Sequence, residues 1–329
     1  MRIRRLNLSE VKPRQEAFLP MLLATVCMVI AFLSMIIDRF VFPYGGELLS
    51  PAIAQFIILL LPAYLCLLLT SPHRSFYQQM TDIGMGRIKA DCIFLIIFAS
   101  LFMISTSLLL NIVFGGVYSA ADGFSLLGGF VAGKNDYTVS YVYLVAVYAL
   151  IPALCEEFVF RGLIYSELSR VNETFAAVLS SLISACFAFS LGGLPAAILC
   201  GVTYCFVLHT TRSLQACMMI HFVCNLFGLF MGKNICRYFL SSQNNTLLII
   251  ILVLAWLVSC SLFFAEVCKI YRKRAASIKN NASNETPPRV KPQTLAYDMA
   301  GAMIFKPTLI VSIVFVAFYI ATMVIRYFL

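Results

Sequence analysis

Nine apolar segments divide the chain and restrict it to one kind of fold. They cover roughly residues 17–37, 51–70, 92–114, 139–160, 175–190, 195–208, 214–231, 246–265 and 307–325. A helix needs about 20 mostly apolar residues to cross a bilayer, and its backbone polar groups must be satisfied within the segment. The sequence therefore predicts an all-α fold, a polytopic membrane bundle of about eight to nine transmembrane helices. The count is open because the fifth and sixth segments are short and adjacent.

Composition and charge exclude a soluble protein and a nucleic-acid-binding protein. The chain is 61% hydrophobic and only 12% charged, which a soluble domain cannot bury without large exposed apolar patches. If the N terminus is cytoplasmic, most of the 24 Lys and Arg residues fall in the inner loops, as the positive-inside rule requires. The net charge of +9 thus reflects topology and contact with anionic lipid headgroups. We expect an integral membrane protein with membrane lipid as a partner and no nucleic acid.

A polar, proline-containing stretch at 279–288 marks the clearest boundary, because such a composition favours a flexible linker. The other boundaries follow the apolar segments. The predicted units are a cytoplasmic N-terminal segment (1–16), N-terminal transmembrane helices (17–138), a core (139–231), a further transmembrane helix (232–265), a basic linker (266–306) and a C-terminal transmembrane helix (307–329).

Three charged side chains at the end of the fourth apolar segment are the first functional signal. Ionisable residues within membrane segments are functional candidates by default. Glu157 and Arg161 are four residues apart, with the acid first, which favours an ion pair on one helix. A purely structural pair that closes the segment explains these two residues equally well. On a helix Glu156 points about 100° away from Glu157, so Arg161 cannot easily neutralise both acids. A Glu156 carboxylate that Arg161 does not neutralise suits a general base acting on water.

His221 and Asn225 form a second polar pair within the seventh segment. Their spacing of four places both side chains on one helix face. Taken alone, such a pair favours an interhelical hydrogen bond that stabilises the bundle. Taken with Glu156, it indicates hydrolysis, because histidine orients water or binds a metal and an asparagine amide can donate to an oxyanion.

Glu-Glu-x-x-x-Arg followed about sixty residues later by His-x-x-x-Asn resembles the CPBP family of intramembrane proteases. That family includes the type II CaaX prenyl endopeptidases (Rce1-like) and many bacterial immunity-type proteins, and the resemblance covers roughly residues 139–231. It implies that Glu156 activates water, with Glu157 and Arg161 as its supporting pair. It also implies that His221 and Asn225 stabilise the tetrahedral intermediate, and that the protein resides in a bacterial plasma membrane.

The chain departs from the family pattern at one position. The third family element, Phe-x-x-x-His, corresponds here to Phe187 through Leu191, and leucine can neither bind a metal nor accept a proton. Glu156 and His221 alone fall short of the three protein ligands typical of catalytic zinc. We therefore predict no cofactor and do not favour a divalent metal such as zinc. Helical extrapolation from a turn near Asn172 places Glu156 and Leu191 at similar depth.

Three functions remain open on this sequence. The leading hypothesis is an intramembrane endopeptidase that cleaves a peptide or membrane-protein substrate. The second is a family member that lost hydrolysis at Leu191 and acts as a membrane binding or bacteriocin-immunity protein. A transporter lined by Glu156, Arg161 and His221 is less favoured, because the chain shows no repeated halves. The remaining histidines, His73 and His209, are not expected to replace the missing one.

Overall fold

The apolar segments fold into helices in the computed structural model, which describes residues 17–41, 51–70, 76–114, 141–169, 172–191, 193–232, 246–281 and 306–328. We number these helices α1 to α10. Their bounds are Phe18–Val41 (α1), 51–70 (α2), Phe76–Asp82 (α3), Ile93–Phe114 (α4), Tyr141–Leu168 (α5), Glu173–Cys186 (α6), Leu194–Thr211 (α7), 214–232 (α8), Thr246–Asn281 (α9) and Lys306–Phe328 (α10).

The helical bundle predicted from the sequence is confirmed. Seven helices of the described part are long and apolar enough to cross a membrane, and two shorter apolar helices span Ile53–Leu69 and Glu173–Cys186. Together they account for the nine predicted segments. The described residues contain no strand, as expected for a chain whose backbone must satisfy its own hydrogen bonds in lipid. The protein is thus a polytopic helical membrane protein.

Three helix ends differ from those expected. The fourth segment was expected to end near residue 160, but α5 continues to Leu168, so the charged residues lie inside the span rather than at its end. Arg161 can lie within the span because it forms an ion pair with Glu157 on the same helix. Helix α6, which corresponds to the fifth predicted segment, ends at Cys186, four residues before the expected end. Helix α9, which corresponds to the eighth predicted segment, continues to Asn281, so the first part of the predicted linker is helical. Residues 282–305 lie outside the described residues.

Helix α5 contains two π-helical stretches on either side of its acidic pair. They cover Ala146–Leu150 and Phe158–Tyr165, and the α-helical piece between them, Ile151–Glu157, carries both glutamates at its end. The wider π turn shifts the phase of the side chains that follow it. Such stretches occur frequently at functional sites. Here the second one begins directly after Glu157.

The turn predicted near Asn172 is confirmed, and it starts helix α6. The Asn172 side chain accepts a hydrogen bond from the backbone N–H of Phe175 at 2.9 Å, a typical N-cap. Helices α6 and α7 then pack closely, because Gly201 has no side chain at the crossing. A Cβ atom at Gly201 would lie 2.7 Å from the Cβ of Ser181. Small residues at crossings are the usual means of close helix packing in membranes.

A short loop before α4 holds the start of α8. The backbone N–H of Leu214 donates to the carbonyl of Gly84 at 2.8 Å, and Ser213 Oγ donates to the carbonyl of Gly86 at 2.9 Å. Gly84 has φ +88°, in the left-handed region that favours glycine. The loop therefore fixes the N-terminal end of the helix that carries His221.

Candidate active site

The charged and polar residues singled out from the sequence come together where α5 and α8 cross. The side chains of Glu156, Glu157, Arg161, His221 and Asn225 are all buried, and Glu157 is completely inaccessible. Burying a charge is costly unless it is paired and hydrogen-bonded. The structure thus brings Glu156, Glu157, Arg161 and His221 together in an otherwise apolar bundle, with Asn225 buried one helical turn after His221.

Glu157 connects the two motifs. Its Oε1 accepts a hydrogen bond from Arg161 Nη1 at 3.2 Å, as the spacing of four predicted. The same oxygen lies 2.8 Å from His221 Nδ1. An ionised carboxylate only accepts hydrogen bonds, so we assign the proton to Nδ1 of the imidazole. Glu157 therefore orients the ring of His221 as well as pairing with Arg161, a contact that helical spacing alone does not reveal.

Glu156 lies on the other side of the same imidazole. Its Oε2 is 3.8 Å from His221 Nε2, the ring nitrogen that points away from Glu157. Its Oε1 accepts a hydrogen bond from Gln55 Nε2 at 3.3 Å. The imidazole of His221 thus stands between two carboxylates. Gln55, on α2, is a polar residue at this site that the sequence analysis missed, because no motif or spacing links position 55 to position 156.

Tyr204 on α7 is the second residue that the sequence analysis missed. Its ring stacks on the His221 ring with centroids 5.3 Å apart and an angle of 21° between the planes. The guanidinium carbon of Arg161 lies 4.9 Å from the centroid of the Tyr204 ring, within the range of a cation–π interaction. Tyr204 therefore holds both Arg161 and His221 in place, although an isolated Tyr in an apolar segment gives no signal of such a role.

Several buried polar atoms at this site have no hydrogen-bond partner among the described residues. They are Gln55 Oε1, Glu157 Oε2, Arg161 Nε, and Oδ1 and Nδ2 of Asn225. Buried polar groups are nearly always hydrogen-bonded in folded proteins. A cluster of such atoms is therefore typical of a site that receives polar groups from outside the protein, such as water or a peptide.

Leu191 lies in the turn between α6 and α7 rather than on a helix. Because α6 ends at Cys186, the helical extrapolation that placed Leu191 level with Glu156 does not hold. Phe187 and Phe189 anchor this turn in the core, and Phe189 takes the unusual φ of 48° for a non-glycine residue. Leu191 itself is 59% exposed. The position where the family pattern has histidine thus carries a largely exposed aliphatic side chain.

His209 does not join the cluster. It lies in the last turn of α7, with Nδ1 3.3 Å from Glu173 Oε2, and its ring stacks on that of Tyr271. The expectation that His209 does not replace the missing histidine therefore agrees with its position. His73 lies outside the described residues.

The side chains present do not fit a catalytic zinc ion. Catalytic zinc sites have three protein ligands. At this site His221 is the one histidine of the cluster, and its Nδ1 lies 2.8 Å from Glu157 Oε1 rather than facing a shared metal position. Among the described residues, no group of three or more His, Cys, Asp or Glu side chains is arranged to hold a metal ion. We therefore derive no catalytic step through a metal.

Comparison with known proteins agrees with the two motifs. Residues 138–227 match the family model described as type II CAAX prenyl endopeptidase Rce1-like. This segment is therefore similar to that family, and we call residues 138–227 the Rce1-like segment. The resemblance predicted from the motifs is thereby confirmed, and the matched family is a protease family. The Rce1-like segment contains all five predicted site residues and Tyr204, whereas Gln55 lies outside it. No curated protein and no solved structure matches the chain.

Replacing Tyr204 by leucine is expected to reduce the free energy of unfolding by about 2 kcal/mol. The substitution removes a ring stack worth about 0.5–1.5 kcal/mol and a buried cation–π contact worth about 1–2 kcal/mol. Tyr204→Phe keeps the ring and should remain close to wild type. Unfolding of the purified variants in detergent measures both effects. Equal destabilisation by the two variants would show that the ring contacts do not stabilise the site.

Proposed function

We propose that the protein is an intramembrane endopeptidase that hydrolyses a peptide bond with water activated by Glu156. The observation that carries this proposal is the placement of His221 between two buried carboxylates, with Nδ1 held by Glu157 and Nε2 facing Glu156 across 3.8 Å. A water molecule within hydrogen-bond distance of both Glu156 Oε2 and Nε2 would be aligned for deprotonation. The Rce1-like segment supports the same class of reaction.

The chemistry needs one proton to move twice. Glu156 accepts a proton from the water as its oxygen attacks the carbonyl carbon of the scissile peptide bond, a general-base role. The neutral imidazole of His221 accepts the second hydrogen bond of that water at Nε2 and so orients it. When the tetrahedral intermediate collapses, the C–N bond breaks and Glu156 returns its proton to the leaving nitrogen. The products are a new carboxyl terminus and a new amino terminus.

Asn225 is suited to the negative charge that develops on the carbonyl oxygen. Its side chain is buried, and neither amide atom has a hydrogen-bond partner among the described residues. A preorganised amide N–H directed at a developing oxyanion is typically worth a factor of about 100–1,000 in rate. Asn225 lies one helical turn after His221, so the water and the oxyanion would be served from the same face of α8.

The proposed partners are membrane lipid and a peptide or membrane-protein substrate. A peptide reaching Glu156 must enter the bundle at membrane depth, because α5 extends at least twelve residues beyond Glu156 in one direction and fifteen in the other. The N terminus is proposed to be cytoplasmic in a bacterial plasma membrane, in keeping with the charge distribution and the family resemblance.

The exposed Leu191 supports a second candidate function. A protein that retains the scaffold but lacks the second histidine could bind a membrane partner, as an immunity protein does, without cleaving it. This candidate predicts that no peptide product forms. It also predicts that the bound partner is retained when Glu156 is replaced.

Hydrolysis can be tested with purified protein in liposomes that contain a pool of lipidated and unmodified peptides in H₂¹⁸O. We expect fragments whose new carboxyl terminus contains one ¹⁸O atom from the attacking water, detected by mass spectrometry. A preparation of Glu156→Gln, purified identically, controls for contaminating proteases. Fragments that persist in this control, or none in either preparation, would contradict the proposal.

A further inference from the structure

Gln55 is a buried polar residue at the site that comes from a part of the chain outside the Rce1-like segment. It is the last residue of the α-helical piece Pro51–Gln55 on α2, directly before the π turn Phe56–Leu60. Its side chain is 2% exposed, and its neighbours in the sequence, residues 51–54 and 56–60, are almost entirely apolar. A glutamine amide in such a place needs an explanation, because burying an amide without full hydrogen bonding costs free energy.

The contact made by Gln55 divides the two oxygens of Glu156 between different tasks. Gln55 Nε2 donates to Oε1 at 3.3 Å, while Oε2 faces His221 Nε2 at 3.8 Å. With Oε1 held from α2, the carboxylate plane cannot rotate freely, and Oε2 remains directed at the space where the water is proposed to bind. Without the contact from Gln55, the carboxylate would sample more orientations in which neither oxygen faces that water.

A hydrogen bond that only links α2 to α5 would explain the N–H group of the Gln55 amide but not its oxygen. A linking glutamine would satisfy its acceptor as well as its donor, but Gln55 Oε1 has no hydrogen-bond partner among the described residues. The amide of Asn225, one helical turn after His221, likewise has no hydrogen-bond partner among the described residues. An acceptor left open beside the proposed base indicates that the Gln55 amide borders the space where water and substrate bind.

We propose that Gln55 is the positioning residue for the Glu156 carboxylate. It supplies, from α2, a fixed contact to one oxygen of the proposed base. This inference rests on the proposed function for its catalytic consequence, whereas the contact itself does not. It assigns a role to a residue outside the motifs.

The test compares wild type with Gln55→Met, which keeps the length of the side chain and removes the N–H donor. The first readout requires no substrate: a hydrophobic carbodiimide, which reacts with protonated carboxyl groups, is applied and modification of Glu156 is quantified by mass spectrometry. Because the N–H of Gln55 stabilises the ionised carboxylate, we expect Gln55→Met to raise the modification of Glu156 roughly three- to tenfold. Modification of Glu173, whose side chain is 58% exposed, serves as the internal reference.

The second readout is peptide cleavage. A positioning role predicts that Gln55→Met lowers kcat about tenfold or more, with KM changed less than twofold, and that Gln55→His, which restores an N–H donor, recovers part of kcat.

Ser105→Ala is the matched control. It removes a buried side-chain contact between α4 and α9, where Ser105 Oγ lies 3.2 Å from Ser259 Oγ, and should leave both readouts unchanged. If Gln55→Met does not fold, Gln55→His and wild type still provide the comparison.

The two proposals fail in different ways. Unchanged carbodiimide modification of Glu156 in Gln55→Met would overturn the positioning role, and so would an unchanged kcat in an active protein. If modification rises as expected while wild type forms no product from any peptide, the hydrolytic function fails and the contact between Gln55 and Glu156 stands.

Discussion

Replacing Glu156 by glutamine is expected to lower the rate of peptide hydrolysis by between about 100- and 10,000-fold, the range that general-base catalysis supplies. Glutamine has the shape of glutamate and can still accept the hydrogen bond from Gln55, but its amide cannot take a proton from water. The fold should therefore persist while the reaction stops. Initial rates on the best peptide from the pool, with liposome-reconstituted protein, measure the change.

The matched control for this prediction is Glu173→Gln. Glu173 also lies on a helix of the bundle, but its side chain is 58% exposed and pairs with His209 rather than with His221. We expect this variant to cleave at the wild-type rate. A loss of activity in Glu173→Gln equal to that in Glu156→Gln would mean that the assay reports folding, and equal activity of Glu156→Gln and wild type would remove Glu156 from the chemistry.

Replacing Arg161 by methionine is expected to reduce the free energy of unfolding by about 3–5 kcal/mol, because Glu157 keeps the hydrogen bond from the neutral His221 but loses the opposite charge that compensates its buried carboxylate. Arg161 is 3% exposed and Glu157 is completely buried, so water cannot replace the lost guanidinium. The ring of Tyr204 also loses its cationic neighbour. Unfolding in mixed detergent, followed by circular dichroism, gives the free energy.

The double variant Glu157→Gln with Arg161→Met separates charge from packing. With both charges removed, the double variant should be more stable than Arg161→Met alone, because no uncompensated charge remains buried. Lys269→Met provides a control on an exposed pair, since Lys269 contacts Glu266 with 52% of its side chain exposed; a near-zero effect is expected there. A double variant that is less stable than Arg161→Met would contradict the ion-pair account.

The parts of the structure that were predictable from the sequence are those set by local periodicity. Apolar runs of about 20 residues predict spans because hydrocarbon imposes that length. The pairing of Glu157 with Arg161 follows from a spacing of four within one helix, and the structure confirms it at 3.2 Å. The start of α6 followed from the turn at Asn172, whose side chain is a good N-cap.

The features that were not predictable depend on contacts between helices distant in sequence. Gln55 and Tyr204 reach the site from α2 and α7, and neither residue lies at a helical spacing from the motifs. The contact between Glu157 and His221 is also of this kind, since 64 positions separate the residues. The continuation of α5 past Arg161 was missed for a different reason, because the end of the segment was set by hydropathy, which counts Arg161 as polar even though Glu157 pairs with it.

The measurement that tests the central claim most directly compares wild type with Leu191→His in liposomes, using the same peptide pool and mass spectrometry. If Glu156, oriented by Gln55 and facing His221, suffices to activate water, wild type releases peptide fragments without a second histidine. A silent wild type together with a Leu191→His variant that cleaves the pool would contradict this account, and would identify the chain as a protease scaffold switched off at position 191.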